Sequence, residues 1–159
     1  MNSMRLLILL AGLICLFPAC RPQPETLVEE GYDAQEMDAA IARARSEVDI
    51  FIKVLQAGSG TDFAVKAPIE DRGKVEHFWL TDVVYQDGQF EGLIGNDPGV
   101  VGNVKFGQKW KLGRAEISDW LYFKDGKMYG NYTMRPLLRS MSKDEAERFR
   151  AMLADQPAP

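Results

Sequence analysis

The sequence predicts an α+β protein: a mostly antiparallel sheet of five or six strands, packed by a long N-terminal helix and followed by a short C-terminal helix. Three observations carry this. Apolar residues recur at spacings of three and four from Met37 to Leu55, the helical period. From Phe63 onward the period changes to two, and the dipeptides Asp87-Gly88 and Asp125-Gly126 punctuate it as hairpin turns do. Finally, Ser142 and Glu145 have capping-box spacing just before a short amphipathic stretch.

The first nineteen residues stand apart. One arginine in MNSMR, the apolar run LLILLAGLICL and then FPAC read as an export signal over residues 1–19. The run is too short to span a bilayer, which takes about 20 apolar residues. Cleavage after Ala19 by an ordinary signal peptidase would place bulky Phe17 at the −3 position. FPAC instead resembles a lipobox, in which Cys20 is acylated and becomes the mature N-terminus. On that reading residues 20–33 (CRPQPETLVEEGYD) are a lipidated tether, too rich in proline and acids to pack. The protein is then expected to be a lipid-anchored member of the bacterial cell envelope, at the outer membrane and facing the periplasm.

Removing residues 1–19 leaves 140 residues with 18 basic and 23 acidic side chains, a formal charge of −5. Residues 34–155 are predicted to form one α+β domain, with 156–159 a disordered tail. The acidic balance offers no footprint for nucleic acid. Cys15 leaves with the signal and Cys20 is acylated, so no disulfide forms in the domain. A single histidine and no spare thiol exclude the usual structural zinc sites, and no metal or cofactor is implied.

Along the domain, Asp33 and Glu36 suggest a capping box. Met37, Ile41, Ala44, Val48, Phe51 and Leu55 form the buried stripe of the helix, and Gly58 and Gly60 stop it. FAVKAPI (63–69), short and ending at a proline, suits an edge or first strand. VEHFWLTDVVY (75–85) reads as the central strand, with Val75, His77, Trp79, Thr81, Val83 and Tyr85 on one face and Glu76, Phe78, Leu80, Asp82 and Val84 on the other. QFEGLI returns from the first hairpin, with Gly92 as a bulge. NDPG (96–99) predicts a type II turn with left-handed Gly99. QKWKL is a brief strand, and ISDWLYF with KMYGNY forms the second hairpin. Both hairpins carry Trp-Leu before the turn and a glycine four residues after the turn glycine, a shared construction rule.

The order EHFW, Asp-Gly hairpin, NDP, VKFG, ISDW and GNYTMRPL resembles the YegJ-like family of small bacterial envelope proteins, a domain of unknown function. The resemblance implies an exported bacterial protein with an α+β domain and transfers no catalytic residue.

Four side chains are candidate ligand or partner contacts. His77 is the sole imidazole, but neighbouring Glu76 points to the opposite face of a strand, which breaks an acid/base dyad. A triad would require Ser118 and Asp119, without a GxSxG elbow. Arg135, ahead of Pro136, is expected in extended backbone at a strand end. There it could pair with Asp119 or Asp97 or hold an anion. The expected function is a membrane-anchored envelope lipoprotein with a non-enzymatic protein- or ligand-binding domain. The alternatives are a hydrolase or transferase using His77 and an immunity protein that neutralises a toxin.

Overall fold

The computed structural model describes residues 32–155. Cys20, nearly all of the tether and the tail at 156–159 lie outside the described residues. The fold is α+β, built on a six-stranded sheet that is antiparallel throughout.

Helix α1 (Ala34–Ser46) opens at Asp33, whose carboxylate accepts from the N–H groups of Gln35 at 2.8 Å and Glu36 at 3.1 Å. Glu36 itself turns to Arg139, 2.9 Å away. The single long helix of the sequence reading is two helices. The chain breaks at Glu47, and α2 (Val48–Ala57) carries the apolar stripe onward to Gly58, left-handed at φ +60°. The break falls where the Glu47 carboxylate is claimed twice, by Arg43 at 2.9 Å and by the Tyr132 hydroxyl.

Six strands follow: β1 (Thr61–Asp71), β2 (Lys74–Gln86), β3 (Gln89–Ile94), β4 (Lys109–Gly113), β5 (Asp119–Lys124) and β6 (Lys127–Gly130). Their order in the sheet is β4-β3-β2-β1-β5-β6. FAVKAPI is therefore the first strand in chain order but lies in the middle of the sheet and not at its edge. Pro68 is accommodated because Ser118 N donates to the Lys66 carbonyl, which shows that Lys66, and by alternation Pro68, turns its backbone toward β5. Pairing with β5 ends at Lys66 opposite Asp119, so no strand seeks the N–H that proline lacks.

Strand β2 changes faces midway. Thr81 pairs with Leu93 and Val84 with Glu91, so Asp82 and Val83 together oppose Gly92. Asp82 sits at φ +51°, and this bulge moves Val83 onto the face of Phe78 and Leu80. The bulged strand is thus β2 and not the one carrying Gly92. Gly92 is where two backbones meet, since a Cβ there would lie 2.7 Å from the Thr81 carbonyl oxygen. The type II turn at NDPG is not formed either, because Gly99 does not adopt a positive φ.

One face of the sheet packs on α1 and α2. Phe51 is its hub, with ring centroids of Trp120, Phe90, Phe63 and Tyr122 between 5.5 and 6.4 Å away. The indole N–H of buried Trp120 donates to the Ala44 carbonyl at 2.8 Å, stitching sheet to helix. The C-terminal region is also more than one helix. After the short α3 (Met134–Leu137), α4 (Lys143–Met152) begins with the expected Ser142/Glu145 capping box. Leu138, Ala146 and Leu153 pack with Met128, Leu121 and Phe123 on the second face of β5 and β6. Over β1, β2 and β3 that face is open, and Lys66, Pro68, His77, Trp79, Thr81 and Leu93 all remain half-buried or exposed.

Candidate functional site

The open face is built from sheet register. Lys66 pairs with Trp79 and Pro68 with His77, so Lys66 and His77 are diagonal neighbours on one surface. The Lys66 ammonium lies 4.8 Å from the Trp79 ring centroid and 3.2 Å from the Thr133 hydroxyl. His77 Nδ1 lies 2.8 Å from Ser118 Oγ. The neutral ring with its proton on Nε2 accepts from the serine there; with a proton on Nδ1, in the other tautomer or the imidazolium, it donates instead, and the hydroxyl can turn to the Lys66 carbonyl at 3.3 Å. Partial desolvation of the ring, followed by the charges of Lys66 and Arg45, holds the His77 pKa below that of a free imidazole.

A serine beside a histidine invites a nucleophilic reading, but the third member is turned away. Asp119 is fully buried, and its carboxylate accepts from Trp120 N at 2.8 Å, Thr133 N at 2.8 Å and Thr133 Oγ1 at 2.7 Å. Burial raises its pKa above the usual carboxylate range, opposed by those hydrogen bonds and by Lys66. Its role is to clasp the chain after β6 onto the start of β5. Ser118 is buried as well, 1% exposed, which leaves no approach for a substrate carbonyl to its Oγ.

Glu76 is spent internally too. It is buried and accepts from the consecutive N–H groups of Gly99, Val100 and Val101 at 2.9 to 3.2 Å. These bonds take the place of the turn expected at NDPG. Asp97 lies exposed in the same loop, and no ion pair joins it to Arg135.

Arg135 departs furthest from expectation. It is helical, within α3, and donates to the carbonyls of Gly130 at 2.8 Å, Asn131 at 3.0 Å and Ala154 at 2.8 Å. It forms no ion pair with Asp119. Desolvation pushes its pKa below the usual guanidinium value. It faces a cleft of about 390 Å³ between α1 and α3, to which Arg43, Arg139 and Tyr132 also contribute. A larger depression of about 510 Å³, between the turns at Gly58–Asp62 and Phe123–Gly126, contains none of the candidate side chains. Among the described residues no cluster of His, Cys, Asp and Glu could hold a metal ion.

Sequence reasoning therefore missed Lys66, whose signal was a lone lysine inside an apolar strand. It also missed Arg139, four residues beyond Arg135 and so within local reach, and Arg43, which nothing local connects to either. Of the aromatic residues, Trp120 and Tyr122 are core, Trp110 packs against that core, and Trp79 faces the open side.

The class of protein is shown by the sequence of the α+β domain as a whole, which is that of a family of bacterial domains. Residues 34–154 match the model described as "Uncharacterized protein conserved in bacteria (DUF2314)", and the chain belongs to that family. It is 54% identical over 129 residues to the Uncharacterized protein YegJ of Escherichia coli (strain K12), a match covering 81% of this chain and 84% of the relative. The resemblance read from the sequence motifs holds. A putative ankyrin repeat protein of Neisseria meningitidis serogroup B is 33% identical over 92 residues, covering 55% of this chain and 36% of that protein. No solved structure matches significantly.

Proposed function

We propose that this is a lipid-anchored protein of the bacterial cell envelope, held at the outer membrane through Cys20, whose domain binds a partner without catalysing a reaction. The observation that carries the non-enzymatic reading is the direction of Asp119. Both of its oxygens are engaged by Trp120 and Thr133, so the His77–Ser118 pair has no acid behind it. What faces solvent is the open face, where His77 and Trp79 present polar atoms beside the apolar surface of Leu93. The related segment in a longer Neisseria protein named for ankyrin repeats is consistent with a domain used in interactions.

A second reading, a hydrolase or transferase, is favoured only by the 2.8 Å contact between His77 and Ser118. Two experiments separate the ideas. Clickable palmitate should label the wild type and not Cys20→Ser; an unlabelled wild type removes the anchor. A photocrosslinker at Thr81, on the open face, should yield discrete adducts in cells, whereas one at Asp38 on α1 should not. Adducts from Asp38 alone would move the binding surface elsewhere. Loss of a measured turnover in both Ser118→Ala and His77→Gln would favour the enzyme.

A further inference from the structure

We propose that the cleft between α1 and α3 binds the phosphate group of a phosphate ester, with guanidinium groups as its receptor. This inference does not depend on the open sheet face.

The starting point is an imbalance of charge. Arg135 is half-buried and donates to three neutral carbonyls; no carboxylate among the described residues comes within ion-pair distance of it. Dipoles orient a guanidinium but do not cancel its charge, and partial burial makes that charge costly. Arg43 is drawn to the same spot. The two guanidinium carbons lie 4.7 and 5.0 Å from the Tyr132 ring centroid, so two like charges share one aromatic ring.

Arg139 adds a third cation. Its tie to Glu36 joins a 71% exposed arginine to a 40% exposed glutamate. An exposed pair of this kind contributes about 0 to 1 kcal/mol, so an arriving anion can exchange with it. The Arg43–Glu47 pair is held more firmly, because Glu47 also takes the Tyr132 hydroxyl, and Arg43 keeps its place over the ring. Architecture alone accounts for the three carbonyl bonds of Arg135. It does not account for a cavity of about 390 Å³ left open beside it, whose charged lining is two further arginines against the one carboxylate of Glu36.

Phosphate fits this arrangement better than a lone carboxylate because it offers more acceptor oxygens and up to two charges to a fan of planar donors. The organic part of the ester then lies against exposed Ala39, with the buried Tyr132 ring serving only to hold Arg43 and Arg135 in place. The same chemistry belongs to a soluble phosphate ester and to a phospholipid headgroup.

The test is calorimetric titration of the full-length protein in detergent with glycerol 3-phosphate, with dihexanoyl phosphatidylglycerol, and with dihexanoyl phosphatidylcholine as the net-neutral control. The expected result is a dissociation constant of about 1 mM or tighter for at least one anionic probe. Stronger binding of glycerol phosphate identifies a soluble ligand, and stronger binding of phosphatidylglycerol over phosphatidylcholine a lipid headgroup. Arg135→Ala risks the fold, so the variants are Ala39→Glu and the double change Arg43→Gln with Arg139→Gln, all at exposed positions. Each should weaken binding at least about tenfold at an unchanged urea midpoint. Absence of binding by every anionic probe, or equal affinities in wild type and variants, would overturn the proposal.

Discussion

The hairpins β2–β3 and β5–β6 share a sequence plan and use it differently. Both turn on Asp-Gly with two positive φ angles, +51° and +79° at Asp87-Gly88 and +50° and +73° at Asp125-Gly126, the mirror-image turn that matches strand twist. Each has a glycine four residues later, yet only one is left-handed. Gly92 stays in its strand opposite a bulge, whereas Gly130 adopts φ +76° and ends its strand, with Asn131 at +47° beyond it. The tryptophans diverge as well. Trp120 is fully buried beneath the helices, while Trp79, alternating with buried Phe78 and Leu80, faces the open side. The turn is a local property; what the rest of each hairpin does depends on which layers cover it.

The sharpest way to break the comparison is to substitute the paired glycines. A Cβ at Gly130 would lie 2.2 Å from the Trp120 carbonyl oxygen and 2.5 Å from its ring, in a left-handed backbone as well. Gly130→Ala should therefore cost about 3 to 5 kcal/mol in urea unfolding, combining strain with overpacking. Gly92→Ala meets one backbone oxygen at 2.7 Å without a positive φ and should cost less, about 1 to 3 kcal/mol. Equal losses would mean that the two glycines have one role after all.

Next in size is the clasp that only the second hairpin possesses. Asp119→Ala should destabilise by about 2 to 3 kcal/mol because it leaves the buried Thr133 donors unpaired. In a double-mutant cycle with Thr133→Val the two should couple by about 0.5 to 3 kcal/mol. A cycle of Asp119→Ala with Arg135→Ala should give a smaller coupling, since the structure places no bond between them; a larger one would reinstate the ion pair expected from sequence.

The turns themselves should respond alike. Nothing lies within 4 Å of a Cβ at Gly88 or Gly126, so Val at either site should cost only the left-handed conformation, about 1 to 2 kcal/mol. Unequal midpoints would show that packing, too, acts at the turns.

The smallest effect is a pH dependence confined to the open face. The folded-state pKa of His77 is lowered, so the unfolded chain takes up its proton first as pH falls. The stability tied to this group is whole above about 6.5, the ordinary histidine value, and declines as pH drops from there through the lower folded pKa. Wild type should therefore lose more of its urea midpoint between pH 7.5 and 5.5 than His77→Gln does. Identical losses would detach His77 from this behaviour.

Local chemistry was legible in the sequence wherever it acts within a few residues. The caps at Asp33 and Ser142, the stop at Gly58 and both Asp-Gly turns depend on the φ preferences of one residue and on donors within reach of one side chain. Alternation also revealed a sheet. Alternation loses its phase at a bulge, however, and nothing near Asp82 indicated that it would turn left-handed, so His77 and Trp79 were assigned the face of Val83. Pro68 read as an edge signal because a strand cannot show where its neighbour ends. Arg135 read as extended because the bias before proline is a local preference, which carbonyls from Gly130, Asn131 and Ala154 override. The arginine cleft required α1 to lie against α3, nearly a hundred residues later in the chain. Such a contact is decided by which apolar faces are buried together, and no short stretch of sequence contains that information.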